Sequence, residues 1–191
     1  MSLSKLWSPG ILMVMVLASG CDNNSSGDVF GSLTIPECED GETRALTCAE
    51  GVSDCRAFDL DPDFFTMDVT GDQAFIRIQK GSYYPPDVDG LFIQIRDTDA
   101  LVIGDNAIGM EENVRVGLHL GDTCPGGRHS LAFSGTLALQ SFGTGSGDRV
   151  QGSISPLQVS DGRSGEALGQ LTVRFDFEYA LGSPHQPFSR R

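Results

Sequence analysis

Apolar and polar residues alternate along most of the chain from about residue 64 onward, the period-two pattern of strands with one buried and one solvated face. Four segments show it most clearly, with the inward sets Ala74, Ile76 and Ile78; Leu91, Ile93 and Ile95; Val114, Val116, Leu118 and Leu120; and Leu171, Val173, Phe175, Phe177, Tyr179 and Leu181. The polar residues between them are predicted to point outward: Arg77, Gln79, Arg115, His119, Thr172, Arg174, Asp176 and Glu178. The last segment is the longest, and its six inward residues predict a central strand.

Turn sequences separate these runs, and helical spacing is nearly absent. Glycine and aspartate supply most of the turns, as in Thr70-Gly71-Asp72, Gly121-Asp122, residues 143–148 and residues 161–165. We therefore expect an all-β fold, an antiparallel β-sandwich or flattened barrel of about eight to ten strands. A chain of 191 residues, 39% of them hydrophobic, suffices for one such domain.

The first twenty residues have the layout of a secretory signal peptide. One positive charge, Lys5, precedes an unbroken apolar stretch from Ile11 to Ala18, and the small residues Ser19 and Gly20 follow. As a helix this stretch would span about 12 Å, much less than the roughly 30 Å of a membrane's hydrocarbon core. Residues 1–20 are therefore predicted to be a signal peptide and not a transmembrane helix.

The segment Leu17-Ala18-Ser19-Gly20-Cys21 resembles the lipobox of bacterial lipoproteins. The commonest form has leucine three positions before the cysteine, where this chain has Ala18; Leu17 lies one position earlier, an arrangement that the family also tolerates. The resemblance covers residues 1–21 only. It implies that Cys21 carries fatty chains such as palmitate and anchors the protein to a membrane. An ordinary secretory signal, with Cys21 left as a structural thiol, is the alternative.

Five cysteines are present, and setting Cys21 aside leaves an even set for two disulfide bonds in an oxidising compartment. The set is Cys38, Cys48, Cys55 and Cys124. Three pairings are possible; we favour Cys48 with Cys55 and Cys38 with Cys124, which would staple a loop-rich N-terminal cap to the sheet. A zinc site is the competing interpretation, although the chain has no Cys-x-x-Cys spacing.

The chain divides into four predicted segments: a signal peptide over 1–20, a lipidated cysteine with a flexible polar tether over 21–32, a single β domain over 33–182 and a C-terminal tail over 183–191. The expected location is the cell envelope, on the periplasmic or cell-surface side. Which membrane holds the protein stays open, because the sorting role of an aspartate such as Asp22 differs between bacterial groups.

Formal net charge is −13, and loss of Lys5 with the signal leaves −14. Nucleic acids are bound by clustered lysine and arginine, which this chain lacks, so we expect no nucleic-acid partner. The expected partners are a membrane, through lipid on Cys21, and an unidentified envelope protein or glycan.

Asp59, Asp61 and Asp63 begin like a calcium loop, because carboxylates at alternate positions can converge on one hard cation. An EF-hand would require glycine in place of Phe64 and a bidentate glutamate in place of Thr70. A looser calcium site would use these residues or a second acidic set, Asp87, Asp89, Asp97 and Asp99. The alternative is that all of them are solvated turn residues.

Tyr83 and Tyr84 lie in a loop between two strands, where paired aromatic rings can stack on a sugar or insert into a partner. Packing at the rim of the core is the favoured interpretation of this pair. The three histidines, His119, His129 and His185, have no metal-binding spacing, and no Gly-x-Ser-x-Gly motif is present.

The leading functional hypothesis is a non-enzymatic, lipid-anchored envelope protein that serves as a structural or binding module and needs no cofactor. A calcium-assisted carbohydrate- or protein-binding β-sandwich is the first alternative. A hydrolase whose site assembles in space from distant residues is the second.

Overall fold

The computed structural model describes residues 25–33, 46–47, 57–81, 88–120, 131–180 and 186–187. The strands in these ranges are β1 (Ser26–Leu33), β2 (Leu46–Thr47), β3 (Ala57–Leu60), β4 (Phe64–Thr70), β5 (Gln73–Gly81), β6 (Val88–Ile95), β7 (Gly104–Ile108), β8 (Val114–Leu120), β9 (Leu131–Ser141), β10 (Arg149–Asp161), β11 (Ala167–Glu178) and β12 (Gln186–Pro187). Ten of them have four residues or more, and no helix occurs within the same ranges. The all-β prediction is therefore confirmed.

The strands form one sheet in the order β12–β4–β5–β6–β8–β7–β9–β10–β11–β1–β3–β2. All pairings are antiparallel except that of β7 with β8, which meet in parallel at Ile108 and Val114. Short turns explain the antiparallel ladders: at the β4–β5 turn, Gly71 adopts a left-handed φ of 62° that a side chain would disfavour. The sheet is therefore mixed, with a β4–β5–β6–β8 half and a β7–β9–β10–β11–β1–β3 half.

The sheet curls into a half-barrel, so that strands distant in the strand order pack against each other. Phe65 of β4 stacks on Phe177 of β11 with 5.8 Å between ring centroids and an interplanar angle of 6°. Residues from both halves of the sheet belong to one buried hydrophobic cluster. The core therefore lies on the inner face, between the two halves.

The alternation in the sequence identified this inner face correctly. The predicted inward residues that are buried are Ala74, Ile76, Ile78, Leu91, Ile93, Ile95, Val114, Leu171, Val173, Phe175, Phe177 and Tyr179. Val116 and Leu118 are partly buried and pack against the same cluster. The longest alternating segment forms β11, which lies between β10 and β1, so its prediction as a central strand is also confirmed.

Gln79 is an exception, because it is only 1% exposed although it belongs to the outward set. Its cross-strand neighbours on the outer face are Phe64, which is buried, and Gly90. The backbone N–H of Asp63 donates to the Gln79 carbonyl oxygen over 2.8 Å. Alternation thus predicted which way Gln79 points but not that its position on the outer face is covered.

The N-terminal boundary of the domain also differs from the prediction, because β1 occupies most of the range 21–32 assigned to a tether. Val29 and Leu33 of this strand are fully buried, and Val29 pairs with Val173 of β11. Only two apolar residues face the core in this glycine-rich stretch, which is why the sequence pattern was too weak to predict a strand. Any tether therefore ends before Ser25, which is itself buried.

Two further boundary predictions are changed or left open. Gln186 and Pro187, in the predicted tail, pair with Phe65 and Phe64 of β4. The predicted N-terminal cap is described only at β2 and β3, and β3 pairs with β1. Its disulfide bonds lie outside the described residues and stay a prediction.

The contact between β1 and the aromatic stack leaves no room for a side chain at Gly27. A Cβ atom there would collide with the ring of Phe65 and with the carbonyl oxygen of Arg174. We expect Gly27→Ala to lower the free energy of unfolding by about 1–3 kcal/mol in urea denaturation. Gly117→Ala is the control, since no atom lies within 4 Å of a Cβ at this strand position. It should leave stability unchanged or raise it by up to about 1 kcal/mol, and equal effects of the two changes would contradict this account.

Adjacent residues of β11 test the division into inner and outer faces. Phe175 is buried and Arg174 is exposed. We expect Phe175→Ala to cost about 3–5 kcal/mol of folding free energy through the cavity that it leaves. Arg174→Ala should cost less than about 1 kcal/mol, because its contacts are at the surface. Urea denaturation of both variants measures the difference, and a large loss for Arg174→Ala would show that the outer face is not a solvent face.

Candidate functional site

Most residues that the sequence singled out for chemistry lie outside the described ranges. They are Cys21, Cys38, Cys48, Cys55, Cys124, Tyr83, Tyr84, Asp87, His129 and His185. The lipid anchor, the disulfide pairing and the paired tyrosines therefore stay predictions.

The calcium candidates Asp59, Asp61 and Asp63 are described, and all three are exposed. Asp59 lies on β3 opposite Phe30 of β1, and Asp61 Oδ2 lies 3.7 Å from Lys80 Nζ. Among the described residues, no group of three or more histidine, cysteine, aspartate or glutamate side chains is arranged to hold a metal ion. The calcium hypothesis therefore gains no support from this segment.

The second acidic set contains a turn that explains its composition. Asp97 Oδ1 accepts hydrogen bonds from the backbone N–H groups of Asp99 and Ala100, and Asn113 Nδ2 donates to the Asp97 carbonyl oxygen over 2.8 Å. Asp97 thus closes the loop after β6 by bonding its own backbone neighbours. Asp89 is buried, and Asp87 lies outside the described residues.

A groove on the outer face of the sheet is the most developed site-like feature among the described residues. It has a volume of about 480 Å³, within the range of about 300–1,000 Å³ that is usual for ligand clefts. Its polar side chains are Ser26 and Asp28 of β1, Gln140 of β9, Gln151 and Ser153 of β10, and Arg174 and Asp176 of β11. We call this feature the outer-face groove.

Strand register arranges six of these side chains in two parallel rows. One row runs Asp28, Arg174, Ser153, and the next runs Ser26, Asp176, Gln151. Neighbouring strands lie about 4.8 Å apart, and residues two positions apart along a strand lie about 7 Å apart. The groove therefore presents a regular grid of hydrogen-bonding groups on a floor of sheet backbone.

Two ion pairs fix the charged side chains of the groove. Arg149 Nε donates to Asp176 Oδ1 over 2.6 Å, and a second bond joins Arg149 Nη2 to Asp176 Oδ2, so the contact is bidentate. Arg174 Nη1 lies 3.7 Å from Asp28 Oδ2. The hydrogen bond and charge of Asp176 raise the pKa of the Arg149 guanidinium above its ordinary value. Each acidic side chain of the groove is thus held by an arginine.

One carboxylate oxygen in the groove lacks a partner. Asp28 Oδ1 is buried and accepts no hydrogen bond from any residue that the structure describes. A buried oxygen of this kind costs free energy unless a donor reaches it. The accessible part of the Asp28 carboxylate is therefore the side that carries Oδ2, which faces Arg174.

An exposed aromatic ring lies beside the groove. Phe30 follows Asp28 on the same face of β1 and is 37% exposed. Arg174 Cζ lies 5.5 Å from the centroid of this ring, a cation–π contact that positions both side chains. Phe30 thus adds an exposed apolar surface beside the polar side chains of the groove.

The groove lies toward the end of the sheet at which β1, β7 and β10 begin, which we call the entry end. Gly104, Leu139, Gly152, Phe175 and Gly27 form one transverse row across five strands near this end. The residues that precede Gly27 and Gly104 in the chain therefore emerge on the same side.

An exposed apolar pair marks the entry end. Val102 and Ile103, directly before β7, are 54% and 63% exposed. Val102 is held by Asn106, whose side-chain oxygen accepts from the Val102 N–H and whose amide donates to the Val102 carbonyl oxygen. The pair is therefore held in place by its own loop and not buried in the core.

A second cluster lies on the outer face of the other half of the sheet. Phe75 of β5 and Phe92 of β6 stack with 5.7 Å between centroids. Arg77 lies 5.3 Å from the Phe75 centroid and 3.1 Å from Asp68 Oδ2. His119, the one histidine in the described residues, lies on the same face of β8, opposite Gly90.

Sequence reasoning missed the outer-face groove. The available signal was the run of short polar and amide side chains at outward positions of β9 and β10, such as Ser134, Gln140, Gln151 and Ser153. That signal becomes a site only when the register places the residues side by side, which no local pattern reveals.

No helix in the described ranges is long and apolar enough to cross a membrane. Comparisons of the chain with protein-family models, with curated proteins and with solved structures found no match.

Proposed function

We propose that the protein is a non-enzymatic, lipid-anchored binding module of the bacterial cell envelope, with the outer-face groove as its binding surface. One observation carries the proposal: the strand that follows the lipobox-like cysteine most closely in the chain, β1, forms one wall of the groove. An anchor on Cys21 would therefore hold the groove close to the membrane.

The distance from the anchor is short. Ser25 is buried, so only residues 22–24 separate Cys21 from the packed domain. Four residue steps span at most about 14 Å even when fully extended. Lipidation would thus place the entry end of the sheet next to the headgroups.

The exposed pair Val102 and Ile103 supports this orientation, because it lies at the same end of the sheet as Ser25. Exposed apolar side chains at one end of a protein are stabilised by contact with the interfacial region of a bilayer. Two such residues contribute little alone, but beside a covalent lipid they would set the orientation of the domain.

The chemistry of the groove suits reversible binding. Its side chains are hydrogen-bond donors and acceptors, and ion pairs hold three of them, Asp28, Arg174 and Asp176. Side chains that are already held by ion pairs lose little further entropy when a ligand binds.

Replacement of the cysteine tests the anchor. We expect Cys21→Ser, produced in a bacterial host, to lose incorporation of labelled palmitate and to leave the membrane fraction, because no other site would receive the lipid. Ser19→Ala, which keeps a small residue in the lipobox-like segment, should be lipidated normally. Palmitate on the Cys21→Ser variant, or an unmodified Cys21 in the parent protein, would refute the proposal.

Tryptophan fluorescence tests the orientation. The one tryptophan, Trp7, lies in the predicted signal peptide, so a new tryptophan is the sole indole of the lipidated protein. In vesicles with bromine-labelled acyl chains, we expect Ile103→Trp to be quenched. Met110→Trp is the matched control, since Met110 is 67% exposed but follows β7 at its other end, at least about 13 Å away along the strand.

A longer tether between Cys21 and the domain should weaken the contact of the entry end with the membrane. Ten Gly/Ser residues inserted between Asn24 and Ser25 add a mean reach of about 17 Å. The insertion should reduce the quenching of Ile103→Trp while leaving lipidation intact. Equal quenching of the Ile103 and Met110 reporters would refute the orientation but not the anchor.

A further inference from the structure

The charges of the outer-face groove are already paired. Among the described residues that line it, Arg174 is the one cationic side chain and contacts Asp28, and Asp176 is engaged by Arg149. An anionic ligand would find no free cation among these lining residues and would be repelled by a protein of net charge −13. The ligand that fits such a surface is uncharged.

The floor of the groove is closed to strand addition. The strands β10 and β11, which form the middle of the groove, pair with a neighbour on both sides there, so their backbone groups are used within the sheet. The wall strand β1 is paired with β11 along its length but with β3 only from Val29 to Ser32. Peptides commonly bind by adding a strand to a free edge or by placing apolar side chains in pockets. The middle of the groove offers no free edge, and its side chains are mainly polar.

Hydroxyl groups match what the groove does present. Gln140 and Gln151 each offer an amide donor and an amide acceptor, Ser26 and Ser153 offer hydroxyls, and the half-exposed Asp28 carboxylate offers a further acceptor. Vicinal hydroxyls of a sugar donate and accept at neighbouring positions, as these side chains do. Phe30 adds apolar surface for the C–H face of a ring.

From this combination we infer that the outer-face groove binds a neutral oligosaccharide, a glycan chain without phosphate, sulfate or carboxylate groups. The inference rests on the proposed binding role of the groove, and it names the ligand class. The side chains that carry it are Asp28, Gln151 and Arg174, with Phe30 beside them.

Titration with defined sugars tests the inference. The full chain is expressed in a bacterial host and extracted in a detergent without a sugar headgroup, such as lauryldimethylamine oxide. Cellohexaose, chitohexaose and maltohexaose are titrated by calorimetry, alongside a sulfated heparin hexasaccharide and an unstructured neutral peptide. We expect at least one neutral hexasaccharide to bind, and neither the sulfated sugar nor the peptide to do so.

Variants locate the binding. Gln151→Ala and Asp28→Ala should each raise the Kd about tenfold, the effect of one lost hydrogen bond to a ligand. Gln158→Ala is the matched control, because Gln158 is an exposed glutamine of the same strand that does not line the groove. Its Kd should equal that of the parent protein, and urea midpoints should show that all three variants are folded.

Three outcomes would overturn the inference: no binding of any neutral hexasaccharide, binding of only the sulfated sugar or the peptide, or a neutral-sugar Kd unchanged by Gln151→Ala and Asp28→Ala. Mass spectrometry of Cys21 in the same preparation tests the anchor independently. A lipidated protein that binds no neutral sugar therefore refutes the ligand class alone, whereas an unmodified Cys21 refutes the anchor.

Discussion

The stack of Phe65 on Phe177 joins β4 to β11, two strands separated by six others in the sheet. It curls the sheet, closes the core between its halves and requires that β1 carry no side chain at Gly27. Aromatic rings bury the largest apolar areas in a core, so a close contact of this kind contributes strongly to the folding free energy. The position of β1, and with it one wall of the groove, depends on this contact.

Burial on the inner face leaves the outer face free for chemistry. Successive side chains of a strand point to opposite faces. Because Val173 and Phe175 are buried on the inner face, Arg174 and Asp176 lie on the outer face. The same alternation in β1 and β10 sets Asp28 and Gln151 beside them. The arrangement of the groove therefore follows from the packing of the core. The distances between its side chains are set by the distances between paired strands, and its backbone is held by the packed sheet.

Much of the fold was predictable because it is a local property. Period-two alternation identified the inward residues of β5, β6, β8 and β11, and the absence of helical spacing predicted the all-β class. The strand β1 was missed because Val29 and Leu33 are its only buried apolar residues within a glycine-rich, polar stretch. Gln79 was expected to be solvated because alternation predicts only which face of the sheet a side chain points to. Whether that side chain is buried depends on the neighbouring residues that cover it.

The candidate site was predictable only in its parts. The amino-acid sequence by itself determined the β class, the inner and outer sets of residues, the acidic charge and the lipobox-like segment before Cys21. Tertiary structure alone decided that β1 pairs with β11, that Asp28 meets Arg174 and that Val102 and Ile103 lie at the end where the chain enters the sheet. The physical reason is that strand pairing joins residues more than a hundred positions apart, and register at that distance is set by the collective packing of the core.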